Sequence, residues 1–149
     1  MEFQPARILL AENEPLNVEL LQIAFNNYNF VNQLDVVEDG EQALDYLLGR
    51  EGNPPVYSLP DLLLLDLRLP KINGLQVLQT IRNHSRTRDL DVVVLTASPE
   101  ENDLNTCYAL GVNSYIVKPL DFERFITVTR RVGLYWVLLK RQPLPQPSS

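Results

Sequence analysis

The chain has a single cysteine, Cys107, so no disulfide can close within it, and a reducing compartment suits it. No apolar stretch approaches the ~20 residues that a bilayer-spanning helix requires. The segment Met1 to Arg7 has no signal-peptide pattern. Basic side chains are few, 13 against 19 acidic, for a formal net charge of −6. That balance repels phosphate backbones, and no Lys/Arg cluster offsets it, which argues against a nucleic acid partner. The only histidine, His84, sits in a polar run and reads as a solvated surface residue. Internal repeats and domain linkers are also missing. The expectation is one soluble, cytoplasmic domain over residues 6–140, with no membrane contact, and a disordered Pro-rich tail over 141–149.

What is there is a series of short aliphatic runs, each closed by a reactive side chain. Leu62-Leu63-Leu64-Leu65 ends on Asp66, and Ile8-Leu9-Leu10-Ala11 ends on Glu12. Val92-Val93-Val94-Leu95 ends on Thr96, and Tyr115-Ile116-Val117 ends on Lys118. Runs of this length read as strands buried on both faces of a parallel sheet. Strands are expected near Arg7 to Glu12 and Gln33 to Glu38, with the later ones delivering Asp66, Thr96 and Lys118. Helix-like segments alternate with them, so the fold class is α/β, a parallel sheet covered by helices.

The first helix should bury Val18, Leu21, Ala24, Phe25 and Tyr28. Asp39 with Gln42 opens the second, and Leu69-Pro70 and Asn73-Gly74 shape the turn into the third. Ser98, Pro99 and Glu101 open the fourth, which Gly111 ends, and Asp121 caps a last helix. Gly49 to Pro60 and the charge-rich Arg82 to Asp91 are expected to be loops, the latter exposed. Cys107 falls on an inner stripe with Leu104 and Leu110 and reads as packing.

Ligands of parallel sheets bind beyond the carboxyl ends of the strands. Two acids, a hydroxyl and an ammonium meeting there suit a phosphoryl group and a divalent cation. Asp66 is the candidate nucleophile, since a carboxylate can accept phosphoryl as an acyl phosphate. Glu12 would help hold magnesium, Thr96 and Lys118 would each meet a phosphoryl oxygen, and small Ala97 leaves room for entry. Asp66 alone could simply cap a turn, and Glu12 could be a helix-cap acid. Residues 134–139 are apolar nearly all round, more than one buried face needs. Leu134, Tyr135, Trp136 and Leu138 therefore suggest either a symmetric dimer surface or a longer last helix folded onto its own core.

From roughly Ala6 to Arg131 the chain resembles a receiver domain of two-component response regulators. The resemblance rests on Glu12, Asp66, Thr96, the Lys118-Pro119 pair, the Leu69-Pro70 and Asn73-Gly74 loop, and Tyr115. It implies a five-stranded parallel sheet of flavodoxin-like, doubly wound order, phosphorylation of Asp66 by a sensor histidine kinase, and a switching role for Tyr115. It also implies a metal site at Glu12, Asn13, Asp66 and the Arg68 backbone carbonyl. Val37 to Leu48, the long loop after it and Tyr135-Trp136 further resemble the single-domain cyanobacterial regulators that serve phytochromes. The symmetric dimer suggested by the apolar segment would use the fourth helix, fifth strand and fifth helix.

Two positions depart from the family pattern. Asn13 stands where receivers usually carry a second acid, and Arg68 adds a positive charge close by. One unit charge at close range is worth ~1–4 kcal/mol in a partly solvated site, so magnesium should bind more weakly, by tenfold or more. Arg68 could partly replace the ion by pairing with the phosphoryl group. A rival reading is a pseudo-receiver, an interaction module whose phosphorylation fails because of Asn13 and Arg68. A nucleotide- or flavin-binding domain fits poorly, because Glu12-Asn13-Glu14-Pro15 stands where a Gly-rich phosphate loop would be needed.

Overall fold

Four aliphatic residues in a row can be buried only if both faces of their strand are covered, and the computed structural model meets that demand. It describes residues 6–26, 31–55, 58–97 and 101–118. In chain order the elements are β1 (Ala6–Ala11), α1 (Pro15–Asn26), β2 (Val31–Val37), α2 (Gly40–Leu48), β3 (Leu62–Asp66), α3 (Gly74–Arg82), β4 (Val92–Thr96), α4 (Glu101–Ala109) and β5 (Ser114–Val117). Among the described residues the strands form one parallel sheet in the order β2-β1-β3-β4-β5, the flavodoxin-like order. Every residue of β3 and β4 is buried. Val77, Leu78 and Ile81 of α3 and Ala43 and Leu47 of α2 pack into the same core.

β5 departs from the expectation of a doubly buried run. It lies at the edge of the sheet, so Tyr115 and Val117 are only half-buried, while Ser114 and Ile116 are buried. β1 ends one residue earlier than expected, at Ala11, and β2 runs earlier, over Val31–Val37. The α1 stripe is also different. Leu21 is buried and Val18 half-buried, but Leu16, Leu20 and Ile23 are exposed and the polar Asn17 is buried. The side chains of Ala24, Phe25 and Tyr28 lie outside the described residues.

Helix starts follow local chemistry. The Asp39 carboxylate accepts from the Gln42 N–H, and the Gln42 side chain accepts from Glu38 N–H, one residue before the expected partner. Asn73 and Gln76 form a complete reciprocal capping box that opens α3. Gly111, with φ of 76°, follows α4 in a conformation that favours glycine.

Arg82 to Asp91 is more ordered than a plain exposed loop. The Arg82 guanidinium donates to the carbonyls of Leu110, Thr87, Arg88 and Gly111, and Thr87 and Leu90 are buried. Charge on that segment therefore fastens the end of α4 to α3. Ser98, Pro99, the last helix from Asp121, and residues 141–149 lie outside the described residues.

Candidate functional site

The register of the sheet assembles the site. Ala11 pairs with Leu65, so Glu12 follows β1 beside Asp66 at the end of β3. Asp66 pairs with Leu95, so Thr96 stands one step further along β4, and Thr96 pairs with Val117, so Lys118 stands one step beyond β5. Backbone bonds from Glu12 N–H to Val37 and from Lys118 N–H to Thr96 fix both residues just past their strands. β1 has β2 on one side and β3 on the other, which makes this the edge where the chain order reverses and a crevice opens.

Lys118 Nζ lies 2.8 Å from Glu12 Oε1 and 3.0 Å from Asp66 Oδ2. All three are shielded from water, at 9% exposure for the Lys118 side chain, 0% for Glu12 and 4% for Asp66. The other oxygen of Asp66 accepts the Arg68 N–H at 3.0 Å. Thr96 is buried at the end of its strand, and Ala97 beside it is exposed, which leaves an approach open. Tyr115 is half-buried and meets Tyr108 of α4 edge to face, with ring centres 6.0 Å apart. Pro119, Leu134, Tyr135, Trp136 and Leu138 lie outside the described residues. His84 is exposed and Cys107 buried, as the sequence suggested.

Glu12 binds its proton more tightly than an ordinary glutamate, because burial penalises the carboxylate more than Lys118 and Asn17 relieve it. For Lys118, burial alone favours the neutral amine. Hydrogen bonds to Glu12 and Asp66 and their charges outweigh it, so the ammonium is held above its usual range. Glu12 has a raised folded-state value, so its contribution to stability is present at acid pH and is lost as pH rises through that value. The wild type should therefore gain stability relative to a Glu12→Gln variant as pH falls through the raised value towards the ordinary glutamate range. Urea unfolding of both proteins across that range checks this, and a constant difference would count against the buried carboxylate.

The donors here are oxygens, which suit a hard divalent cation. Glu12 Oε2 is buried and has no hydrogen-bond partner among the described residues, as expected of an atom that awaits a cation. Glu12, Asp66, the Asn13 amide oxygen and the Arg68 backbone carbonyl could hold magnesium. Asn13 is exposed, and the exposed Arg68 side chain makes no ion pair among the described residues. Its contribution in this structure comes from its backbone.

Sequence reasoning missed Asn17. Its amide donates to Glu12 Oε1 at 2.9 Å and to Glu14 Oε2 at 3.1 Å, and thus orients the first acid from below. The only signal available was a polar residue next to the expected apolar stripe of α1. Gly74 reads from the sequence as a turn former and Gly40 carries no signal, yet both are places of close backbone approach. A Cβ on Gly40 would fall 1.8 Å from the Ile72 carbonyl oxygen, and one on Gly74 would fall 2.2 Å from that of Asp66.

A family model described as the response regulator receiver domain matches residues 8–130. The probable methanogenesis regulatory protein FilR2 of Methanothrix harundinacea is 41% identical over 141 residues, which are 95% of this chain and 90% of that protein. The bacteriophytochrome response regulator RtBRR superimposes with a TM-score of 0.77 at 41% identity, over 97% of this chain and 84% of that one. The manganese-bound form of response regulator Rcp1 follows with a TM-score of 0.72 at 29% identity, over 97% of this chain and all of that one (100%). The sequence of Rcp1 from Synechocystis is 32% identical over 89% of this chain and 90% of that protein.

Proposed function

Since the chain belongs to the response regulator receiver family, we propose that it accepts a phosphoryl group on Asp66 from a sensor histidine kinase of the phytochrome type. The observation that carries this reading is the buried cluster in which Lys118 Nζ bridges Asp66 and Glu12 while Glu12 Oε2 stays unpartnered among the described residues. The phytochrome link is supported by similarity to RtBRR and to the phosphorylated cyanobacterial phytochrome response regulator RcpA, which is 32% identical with a TM-score of 0.73.

In the transfer, an Asp66 oxygen attacks phosphorus, the P–N bond to the kinase histidine breaks, and the imidazole leaves with the electron pair. Lys118 stabilises one phosphoryl oxygen, and the Thr96 hydroxyl donates to another. The exposed Ala97 keeps the approach open, with Pro119 next to Lys118 in sequence. Magnesium, when bound, would neutralise charge on the accepting and transferred oxygens. Water later removes the phosphoryl group, so the chain acts only on itself and is not a turnover enzyme.

Output is a population shift. Thr96 moving towards the phosphoryl group lets the Tyr115 ring turn inward on the α4–β5 face. That face, with the last helix and Leu134, Tyr135, Trp136 and Leu138, is the proposed homodimer surface. The setting is the cytoplasm. Among the described residues, no helix is long and apolar enough to cross a membrane.

Acetyl phosphate with magnesium tests the reading by intact mass. The expected result is one added phosphoryl group per chain, removed by hydroxylamine and absent when the metal is chelated. A chain that gains no mass at saturating donor would be the pseudo-receiver instead, disabled at Asn13 and Arg68.

A further inference from the structure

The loop that leads from Asp66 into α3 is held from another element, the start of α2. Three successive loop residues, Pro70, Lys71 and Ile72, meet three successive residues, Asp39, Gly40 and Glu41. The buried Gly40 donates its N–H to the Pro70 carbonyl at 3.2 Å. Its bare Cα faces Ile72 so closely that a Cβ would fall 1.8 Å from the carbonyl oxygen and 2.6 Å from the carbonyl carbon. Lys71 Nζ lies 3.6 Å from Asp39 Oδ2 and 3.8 Å from Glu41 Oε2. Lys71 is exposed and such ion pairs contribute little, so the backbone contacts carry the attachment. Between those contacts Lys71 has φ of 66°, which no other non-glycine residue adopts among the described residues. A conformation of this kind persists only where its surroundings impose it.

The same loop reaches the acceptor. Arg68, two residues before Pro70, donates its N–H to Asp66 Oδ1 at 3.0 Å. The Ile72 N–H closes back on the Pro70 carbonyl at 2.8 Å. The β2–α2 junction also holds the first acid, since the Val37 carbonyl accepts the Glu12 N–H at 3.0 Å. One short stretch, 37–40, thus touches both acid-bearing segments.

We propose that Gly40 is a positioning residue for phosphotransfer, setting through Pro70 and Ile72 the loop that aims the Asp66 carboxylate. This rests on the receiver reading above and adds to it a residue from a different element. A side chain at position 40 would push the Ile72 carbonyl away, and the displaced loop would take the Arg68 N–H from Asp66 Oδ1.

The test measures the rate of phosphorylation by acetyl phosphate with magnesium, the unfolding midpoint and amide hydrogen exchange. Gly40→Ala is expected to react about tenfold more slowly, the effect of a small misplacement of a reacting group. Its Arg68 and Ile72 N–H should exchange faster relative to the β3 amides, the mark of local opening. Gly49→Ala is the control at the other end of α2, where φ is 79° and a Cβ would fall 2.4 Å from the Asn53 carbonyl oxygen. It should lower the unfolding midpoint and leave the rate and those two amides unchanged. If Gly40→Ala does not fold, exposed Lys71 gives a second reading. Lys71→Val strains the left-handed turn and should slow the reaction severalfold, whereas Lys71→Gly adopts it freely and should keep the rate. An unchanged rate in Gly40→Ala or Lys71→Val, or an equal loss in Gly49→Ala or Lys71→Gly, would overturn the proposal and leave the receiver reading intact. A wild type that gains no phosphoryl group would overturn both.

Discussion

Asp66→Asn is expected to take up no phosphoryl group from acetyl phosphate or from a kinase, whereas the wild type approaches one per chain. An amide oxygen is a poor nucleophile and cannot form an acyl phosphate that persists. Glu12 also lies beside Lys118, but it is completely buried, and its Oε1 is already engaged by Lys118 and Asn17. The fold should survive, because an Asn oxygen can still accept the Arg68 N–H as Asp66 Oδ1 does at 3.0 Å. Lys118 keeps Glu12 as partner at 2.8 Å. Loss of the second charge-assisted bond costs about 1–3 kcal/mol, partly offset by the burial of one fewer carboxylate. Intact mass and urea unfolding on the same sample separate the two effects. Residual labelling of the variant would mean that another residue is the acceptor.

The second large effect is on the scaffold. Gly74 opens α3, where helix propensity alone would favour alanine, by at most about 1 kcal/mol. Packing says the reverse. A Cβ there would come within 2.2 Å of the Asp66 carbonyl oxygen and 2.6 Å of Leu67 Cα, both backbone atoms that cannot step aside. The Gly74 N–H also donates to the Leu67 carbonyl at 2.9 Å, so the helix start is fastened directly to the segment that carries Asp66.

Gly74→Ala should therefore destabilise the protein by about 3 kcal/mol, at the upper end of overpacking effects. It should also slow phosphorylation by roughly tenfold or more, because displacement of a reacting group by about 1 Å is costly. Gly52→Ala is the control. Gly52, in the loop between α2 and β3, has φ of 80° and open space where a Cβ would sit, so alanine there meets only backbone strain. Equal unfolding midpoints for the two variants would refute the close-approach account.

Much of this architecture can be read from the chain. Leu62 to Leu65 and Val92 to Leu95 read as buried strands because four aliphatic residues in a row have no other favourable place. Asp66, Thr96 and Lys118 are conspicuous because a polar group at the end of such a run must lie at a strand tip. Where sequence and structure part, burial depends on position in the sheet. Tyr115 and Val117 belong to an apolar run like that of β4, but β5 is an edge strand and leaves them half-exposed. Arg82 reads as solvated charge, and only the approach of α4 to α3 reveals the carbonyls it serves.

The sequence by itself determined the class of fold, the number of site-bearing strands and the chemistry at their tips, because these follow from local hydrophobic pattern and side-chain type. The strand order was legible only through the family resemblance, and the tertiary structure alone decided the one-residue stagger that brings Lys118 between Asp66 and Glu12. It also decided that Asn17 should clasp Glu12 and Glu14, and that Gly40 and Gly74 should touch backbone. The largest of these outcomes depend on pairings between segments far apart in the chain, such as Lys118 with Glu12, and no local pattern encodes the partner of such a contact.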